Sequence, residues 1–285
     1  MPEGHTLHRL AREHRRLLRG RVVAATSPQG RFASGAAALD GATLRTAEAQ
    51  GKHLFHRYRS DAADLTLHVH LGLFGRFTTW QGQAPPPSTG CRLRLATVDD
   101  GPPVTIDLAG AAACELLDPD GERRLRARLG PDPLRRGADP DAAYAALRRR
   151  RAPLGQALLD QSVIAGVGNV FRAEALFLCG LDPRREARTL TRPEFDALWT
   201  TLVGMLRDGL RRGRIVTVTA EDAGRAPGRL ATEDARYVYR REGLPCRRCG
   251  TPIVAWTLAA RRMYACPRCQ RTAPPSGGAA AAASA

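Results

Sequence analysis

Two pairs of cysteines near the end of the chain constrain its folding more than any other feature. Cys246-Arg247-Arg248-Cys249 and Cys266-Pro267-Arg268-Cys269 are CxxC knuckles separated by residues 250–265, a spacer of 16 residues. A unit this small buries too little apolar surface to fold unaided, and four thiolates at this spacing surround one zinc ion tetrahedrally. Gly250 eases the turn after the first knuckle, and the arginines inside both knuckles favour the thiolate form. A reducing cytoplasm disfavours two disulfides as the alternative. One structural zinc ion is therefore expected in a hairpin over 237–271. Cys91, Cys114 and Cys179 lack such partners and read as buried or incidental thiols.

The rest of the chain is large enough for a core of its own. It has 285 residues, 43% of them hydrophobic, which excludes wholesale disorder and suits one large or two modest domains. No apolar run approaches the roughly 18 residues of a membrane span. The polar start Met1-Pro2-Glu3-Gly4-His5 lacks a signal-peptide pattern, so a cytoplasmic monomer is expected. The net charge of +16 implies a polyanionic partner held by a salt-sensitive phosphate term. Aromatic residues are only 5%, too few for the stacking platforms of single-strand binders, which leaves duplex DNA.

Lys52 is the only lysine, so the other 43 of the 44 basic residues are arginine. The abundance of Arg, Ala, Gly and Pro points to GC-rich codons, under which lysine drifts to arginine wherever only charge matters. Arginine cannot replace an amine that must lose a proton, because its pKa exceeds about 12. The surviving lysine is a candidate for proton-transfer or amine chemistry.

Periodicity gives an α+β chain. Residues 3–19 place Leu7, Leu10, Ala11, His14, Leu17 and Leu18 on one helical stripe that Gly20 ends. From Val22 to about Leu108 short alternating strands predict a β-sandwich, with examples at 54–58, 65–70 and 93–95 and a turn-rich stretch at 82–90. Helices are predicted at 122–129, 140–150, 154–161, 169–179 and 193–211, and residues 219–233 read as a mobile loop. The domains expected are 1–121, 122–236, the finger at 237–271 and a disordered tail at 272–285. Between two helices lies Gly166-Val167-Gly168-Asn169, where glycines would let a phosphate approach and Asn169 could cap the following helix.

Taken together these pieces resemble one family. Met1-Pro2-Glu3-Gly4-His5-Thr6, Gly51-Lys52-His53-Leu54, His70-Leu71-Gly72-Leu73-Phe74-Gly75, the Asp160-to-Asn169 turn and the four-cysteine finger occur in this order. The chain resembles the DNA glycosylase/AP lyases of the formamidopyrimidine-DNA glycosylase and endonuclease VIII family from residue 2 to about 271. Its Met-Pro-Glu-Gly start looks like the endonuclease VIII branch. The resemblance implies an N-terminal helix on a two-sheet β-sandwich, then a helix-two-turns-helix domain carrying the zinc finger.

It also implies roles. Removal of Met1 would leave Pro2 with a secondary amine, about a tenth of it neutral near pH 7, able to attack C1′ of a damaged nucleotide. Glu3 would be its acid/base partner. Lys52 would donate a proton in β-elimination. Arg261, beside Arg262, would clamp a phosphate at the fingertip during δ-elimination. Arg128, before Leu129-Gly130-Pro131-Asp132, and Asn169 would bind phosphates, while Leu73 and Phe74 would fill the hole left by a flipped base. Gly72 departs from the glutamine of the best-known endonuclease VIII pattern. The activity implied is removal of oxidised bases, chiefly pyrimidines, from damaged double-stranded DNA, with β,δ-elimination at the resulting abasic site. One alternative is the same chemistry on oxidised purines. Another is a non-catalytic zinc-ribbon DNA-binding protein, which would need neither a free Pro2 amine nor a lone lysine.

Overall fold

The structure, a computed structural model, describes residues 2–61, 63–224, 230–231 and 234–271. It divides into two compact units. The first comprises Met1–Ala143, Asp160–Gly168 and Leu206–Arg214, and the second comprises Tyr144–Leu159, Asn169–Met205 and Ile215–Ala285.

The first unit opens with helix α1 (Gly4–Leu18), strand β1 (Val23–Thr26), helix α2 (Ala33–Leu39), and strands β2 (Thr43–Gln50), β3 (His53–Arg59) and β4 (Asp64–His70). It continues through β5 (Arg76–Gln81), β6 (Cys91–Thr97), β7 (Val104–Ala109) and β8 (Ala113–Leu117) to helix α3 (Pro119–Ala127). The strands form two antiparallel four-stranded sheets, ordered β1-β6-β7-β5 and β2-β3-β4-β8. Leu54 and Tyr58 of β3 join Leu67 and Val69 of β4 in one core with Leu93, Leu95, Ile106 and Leu108 of the other sheet. The expected stripe of α1 is buried, and the helix packs on β2 and β3. Because side chains alternate along a strand, His53, Phe55 and Arg57 fall on the opposite face of the sheet.

Periodicity missed three features here. Helix α2 contains only one large apolar residue, Leu39, so it carries no readable stripe. Strand β8 extends the sandwich past Leu108, where the order of neighbouring strands rather than local alternation completes the sheet. Helix α3 begins at Pro119 instead of 122, since Asp118 caps it by accepting from Gly121 N at 2.5 Å and Pro119 suits the first turn. Glu122 fastens α3 to the sheet, accepting from Arg57 Nη2 at 2.7 Å, Arg126 Nε at 2.8 Å and Thr66 Oγ1 at 3.1 Å.

Under α1, His14 Nδ1 and His56 Nε2 lie 3.0 Å apart and His56 Nδ1 meets Tyr58 Oη at 3.2 Å. Burial holds both rings neutral, pushing His56 down to about 4 and His14 well below its usual range. Protons then bind the unfolded chain but not the folded one between about pH 6.5 and those depressed values. Stability is full above the unfolded pKa and falls as pH drops, by up to ~1.4 kcal/mol per pH unit for each histidine. Urea unfolding followed from pH 7.5 to 5 should show that steep loss, and a flat profile would show these rings to be protonated in the fold.

Beyond α3 the chain is helical, with α4 (Pro140–Arg148), α5 (Leu154–Ala157), α6 (Asn169–Leu178), a 3-10 turn at Ala187–Thr189, α7 (Arg192–Arg212) and α8 (Ala220–Ala223). Helix α5 is one turn rather than the predicted 154–161, because its turn stops at Ala157. The following Asp160–Gly168 segment is organised by side chains: Gln161 Oε1 accepts from Gly166 N, while its Nε2 donates to Val167 O, both at 2.9 Å. The short α8 falls inside the expected mobile loop, capped by Thr219. Residues 225–229 and 232–233 of that loop, and the tail at 272–285, lie outside the described residues. Among the described residues no helix is long and apolar enough to cross a membrane.

The second unit ends in the antiparallel hairpin of β9 (Val254–Leu258) and β10 (Arg261–Ala265). Ala259 and Ala260 at its tip both have positive φ, as a two-residue primed turn demands. Fully buried Glu174 of α6 anchors the approach to this finger. It accepts from the backbone N–H groups of Tyr237, Val238 and Tyr239 at 2.8–2.9 Å and from the Thr217 hydroxyl.

Candidate active site

In the first unit the chain start is clamped by the glycine turn. Glu3, 0% exposed, precedes α1, and its Oε2 accepts from Gly168 N at 2.8 Å. Gly4 N donates to Gly166 O at 2.9 Å. A Cβ on Gly168 would lie 2.3 Å from the Glu3 carboxyl carbon, and one on Gly4 would lie 2.8 Å from Gly166 Cα. Gly166 itself has φ +96. Here the anion received by the turn is the carboxylate of Glu3, and close packing of backbone on backbone accounts for the glycines. Pro2 is half-buried immediately before this carboxylate.

Lys52 sits on the tight turn between β2 and β3, after Gly51 with φ +58. The turn is fixed from below. Asp132, buried at the end of Leu129-Gly130-Pro131-Asp132, accepts from Gly51 N at 2.7 Å and from His8 Nε2 of α1 at 2.7 Å. Its other oxygen accepts from Leu134 N at 2.8 Å. A Cβ on Gly51 would approach the Ala165 methyl to 2.9 Å, so the hairpin also rests on the glycine turn. One carboxylate thus ties the only lysine to the helix that begins beside Pro2. Asp132 is a site residue that sequence reasoning missed; its motif was visible, but its partners are 81 and 124 positions away.

Leu73 and Phe74 occupy the turn after β4 and are exposed, Leu73 at 43% and Phe74 at 82%. Neither is a core side chain of the sandwich. Gly72 has φ +65, and a Cβ there would meet that of Ala112 at 2.9 Å, so the turn's path excludes a glutamine without rearrangement. Arg128 is exposed at the end of α3 and lines an open cleft of about 570 Å³ with Glu115, Leu117, Gly121, Arg124 and Leu125.

All seven histidines lie in the first 70 residues, and four surround the Lys52 hairpin or its strands. His53 stacks on His68 with ring centroids 5.1 Å apart and tilts against His70 at 4.9 Å. Burial above all, then His68, His70, Arg128 and Lys52, pushes His53 down to about 3. His70 is lowered by burial, then by His68 and Lys52.

In the second unit, Asn169 is the first residue of α6, and its side chain does not turn back as a cap. Its Nδ2 donates to Arg262 O at 3.2 Å, and its Oδ1 accepts from Arg172, whose Nη1 also donates to Gly155 O at 2.9 Å. Arg262 pairs with Glu242. Arg261, directly after the fingertip turn, is exposed and makes no ion pair among the described residues. These neighbours separate two adjacent arginines that the sequence could not.

The four finger sulfurs all lie within 4.8 Å of one another, with Cys246–Cys269 at 3.9 Å and Cys249–Cys266 at 3.5 Å. A tetrahedron of 2.3 Å bonds has edges of about 3.8 Å, whereas a disulfide needs about 2.05 Å. The group can hold one metal ion. Gln270 braces it, accepting from Cys266 N at 2.9 Å and donating to Leu181 O at 3.0 Å. Cys91 and Cys114 are pushed up to about 11 and about 12, each chiefly by burial, and Cys179 is raised by the same cause, so all three are inert thiols.

Comparisons with known proteins agree with this arrangement. The family model described as Formamidopyrimidine-DNA glycosylase N-terminal domain matches residues 1–107, and that of the Formamidopyrimidine-DNA glycosylase H2TH domain matches residues 129–221. The chain is 48% identical over 275 residues to Endonuclease 8 1 of Mycobacterium tuberculosis, covering 95% of this chain and all of that protein. It is 33% identical to the Formamidopyrimidine-DNA glycosylase of Nocardia farcinica, covering 95% and 97%. Among solved structures it resembles the Lactococcus lactis Fpg bound to DNA with an abasic site, with TM-score 0.76, 22% identity and coverage of 95% and 100%. It also resembles MutM bound to DNA with carbocyclic 8-oxo-G, with TM-score 0.78, 22% identity and the same coverage.

Proposed function

The chain belongs to the formamidopyrimidine-DNA glycosylase and endonuclease VIII family of DNA-repair glycosylases, and from that premise we propose that it excises oxidised pyrimidines from duplex DNA and cleaves the abasic site. The observation that carries this reading is the fully buried carboxylate of Glu3, held by Gly168 N–H one residue from Pro2. A carboxylate kept out of water beside a chain-terminal secondary amine is equipped for acid/base work on that amine.

Once Met1 is removed, the Pro2 nitrogen attacks C1′ as the bond to the damaged base breaks and the base leaves with a proton. Ring opening gives an iminium at C1′. Loss of the C2′ proton then expels the 3′ phosphate, and a second elimination expels the 5′ phosphate. Glu3 moves protons at the sugar, and Lys52 supplies one from its fixed hairpin. Arg128, Asn169 and Arg261 hold phosphates, which charge-assisted hydrogen bonds favour. The exposed Leu73 and Phe74 fill the space of the extruded nucleotide, offsetting part of the unstacking cost.

Similarity to a protein named Endonuclease 8 1 supports the pyrimidine branch over the purine branch. Duplexes carrying thymine glycol, dihydrouracil, 8-oxoguanine or an abasic site should be cleaved under single-turnover conditions, with both pyrimidine lesions excised faster than 8-oxoguanine. The reverse order would assign the chain to oxidised purines.

The metal proposed is zinc, held by Cys246, Cys249, Cys266 and Cys269 as a structural ion that fixes the finger and so aims Arg261. Such ions contribute roughly 10 kcal/mol or more to small modules. Cys249→Ser should lose stoichiometric zinc and most duplex affinity while the sandwich keeps its own unfolding transition. Active protein without zinc by elemental analysis would end this assignment.

A further inference from the structure

Glu115, His68 and His53 form a hydrogen-bonded chain across strands β8, β4 and β3, on the sheet face that the core does not use. Glu115 Oε1 and His68 Nδ1 are 2.9 Å apart, as are His68 Nε2 and His53 Nδ1. The strand register supports it, since His68 stands opposite Glu115 and His53 opposite His70. His68 is buried, whereas the Glu115 side chain is 53% exposed at the cleft that Arg128 lines.

The carboxylate fixes where each proton sits. An ionised Glu115 can only accept, so His68 carries its proton on Nδ1 and offers a bare Nε2. His53 must donate from Nδ1 to that nitrogen, which leaves His53 Nε2 as a bare acceptor polarised by a carboxylate two rings away. His53 adjoins Lys52 in the chain, and Lys52 and Arg128 are the cations whose charge falls on it. The other groups facing the chain are His70, which tilts on His53, and Arg126, whose charge falls on His68. Burial keeps both rings neutral, His53 strongly so.

We propose that His53 is a positioning residue for Lys52, accepting a hydrogen bond from its ammonium at Nε2 and holding it protonated and aimed, with Glu115 and His68 fixing the tautomer. No bond is made or broken in this role. The inference rests on Lys52 being the proton donor of the excision reaction. It adds why that lysine stays charged at a position crowded by Arg128 and Arg126.

The test is single-turnover excision of thymine glycol from about pH 6.5 to about pH 10. His53→Leu should move the alkaline limb down by about one pH unit, giving roughly tenfold slower excision on that limb. His53→Gln, whose Oε1 reaches the place of Nε2, should restore the limb, which a merely structural role would not do. Borohydride trapping on preformed abasic DNA should be unchanged in both, because the Pro2 amine performs it. An unmoved limb in His53→Leu overturns the proposal. The parallel variant Lys52→Arg should lose the limb altogether; if it persists there, the reading of Lys52 fails instead. Long-range 15N–1H correlation spectra test the chain independently of that reading. Both His53 and His68 should carry their proton on Nδ1, and Glu115→Ala should abolish the preference. A proton on Nε2 of either ring in the unaltered protein overturns the proposal.

Discussion

Protein that retains a peptide extension before Pro2 should form no borohydride-trapped adduct with abasic duplex DNA and should not cleave it. The extension turns a secondary amine into an amide, whose nitrogen has no available lone pair for attack at C1′. Pro2→Gly should be strongly impaired for a different reason. An iminium formed on proline has no N–H to lose, so it stays cationic and draws electrons from C2′ at any pH. The imine formed on glycine can lose its proton and become a weaker sink. The mapping is clean, since Lys52 is the only side-chain amine available to compete. Peptide mapping that finds the sugar on any residue other than Pro2 would refute the mechanism. Glu3 should stay buried in both variants, because its contact with Gly168 N does not involve the proline ring.

Lys52→Arg separates charge from proton transfer. If only a cation is needed there, the change should be nearly silent. If the amine moves a proton, arginine should fail: its guanidinium does not deprotonate near neutral pH, and its planar fork is bulkier than an ammonium. Excision of thymine glycol should fall by roughly 10²-fold or more, the usual scale of a positioned acid or base. Affinity for an uncleavable abasic analogue should stay within a few fold at the same salt concentration. Cleavage of a preformed abasic site should suffer less, because the opened sugar asks less of the missing donor. The Lys52 turn is held through the Gly51 backbone and Asp132, not through the lysine side chain, so the hairpin should survive the change. Wild-type excision by this variant would show the lone lysine to be a relic of codon drift.

The sequence by itself determined whatever depends on neighbours along the chain. Cysteine spacing named the four sulfurs that cluster, since two knuckles and a hairpin are local geometry. The apolar stripe named the buried face of α1, and alternation named strands β3, β4 and β6. A lone lysine and a Met-Pro-Glu start stood out as composition and position. Tertiary structure decided what those residues touch. Glu3 meets Gly168 across 165 positions, and Asp132 reaches Gly51 across 81, distances over which no periodicity carries information. The glycine turn, legible as a phosphate cradle, was given its anion by the chain's own Glu3. Arg261 and Arg262 are indistinguishable as letters, and only the hairpin register and Glu242 separate them. The Glu115–His68–His53 chain is set by which strands pair and in which register, and a shift of one residue would turn each of its side chains to the opposite face. Local patterns specify elements because their physics is local; a site built from long-range contacts exists only once the sheets have closed.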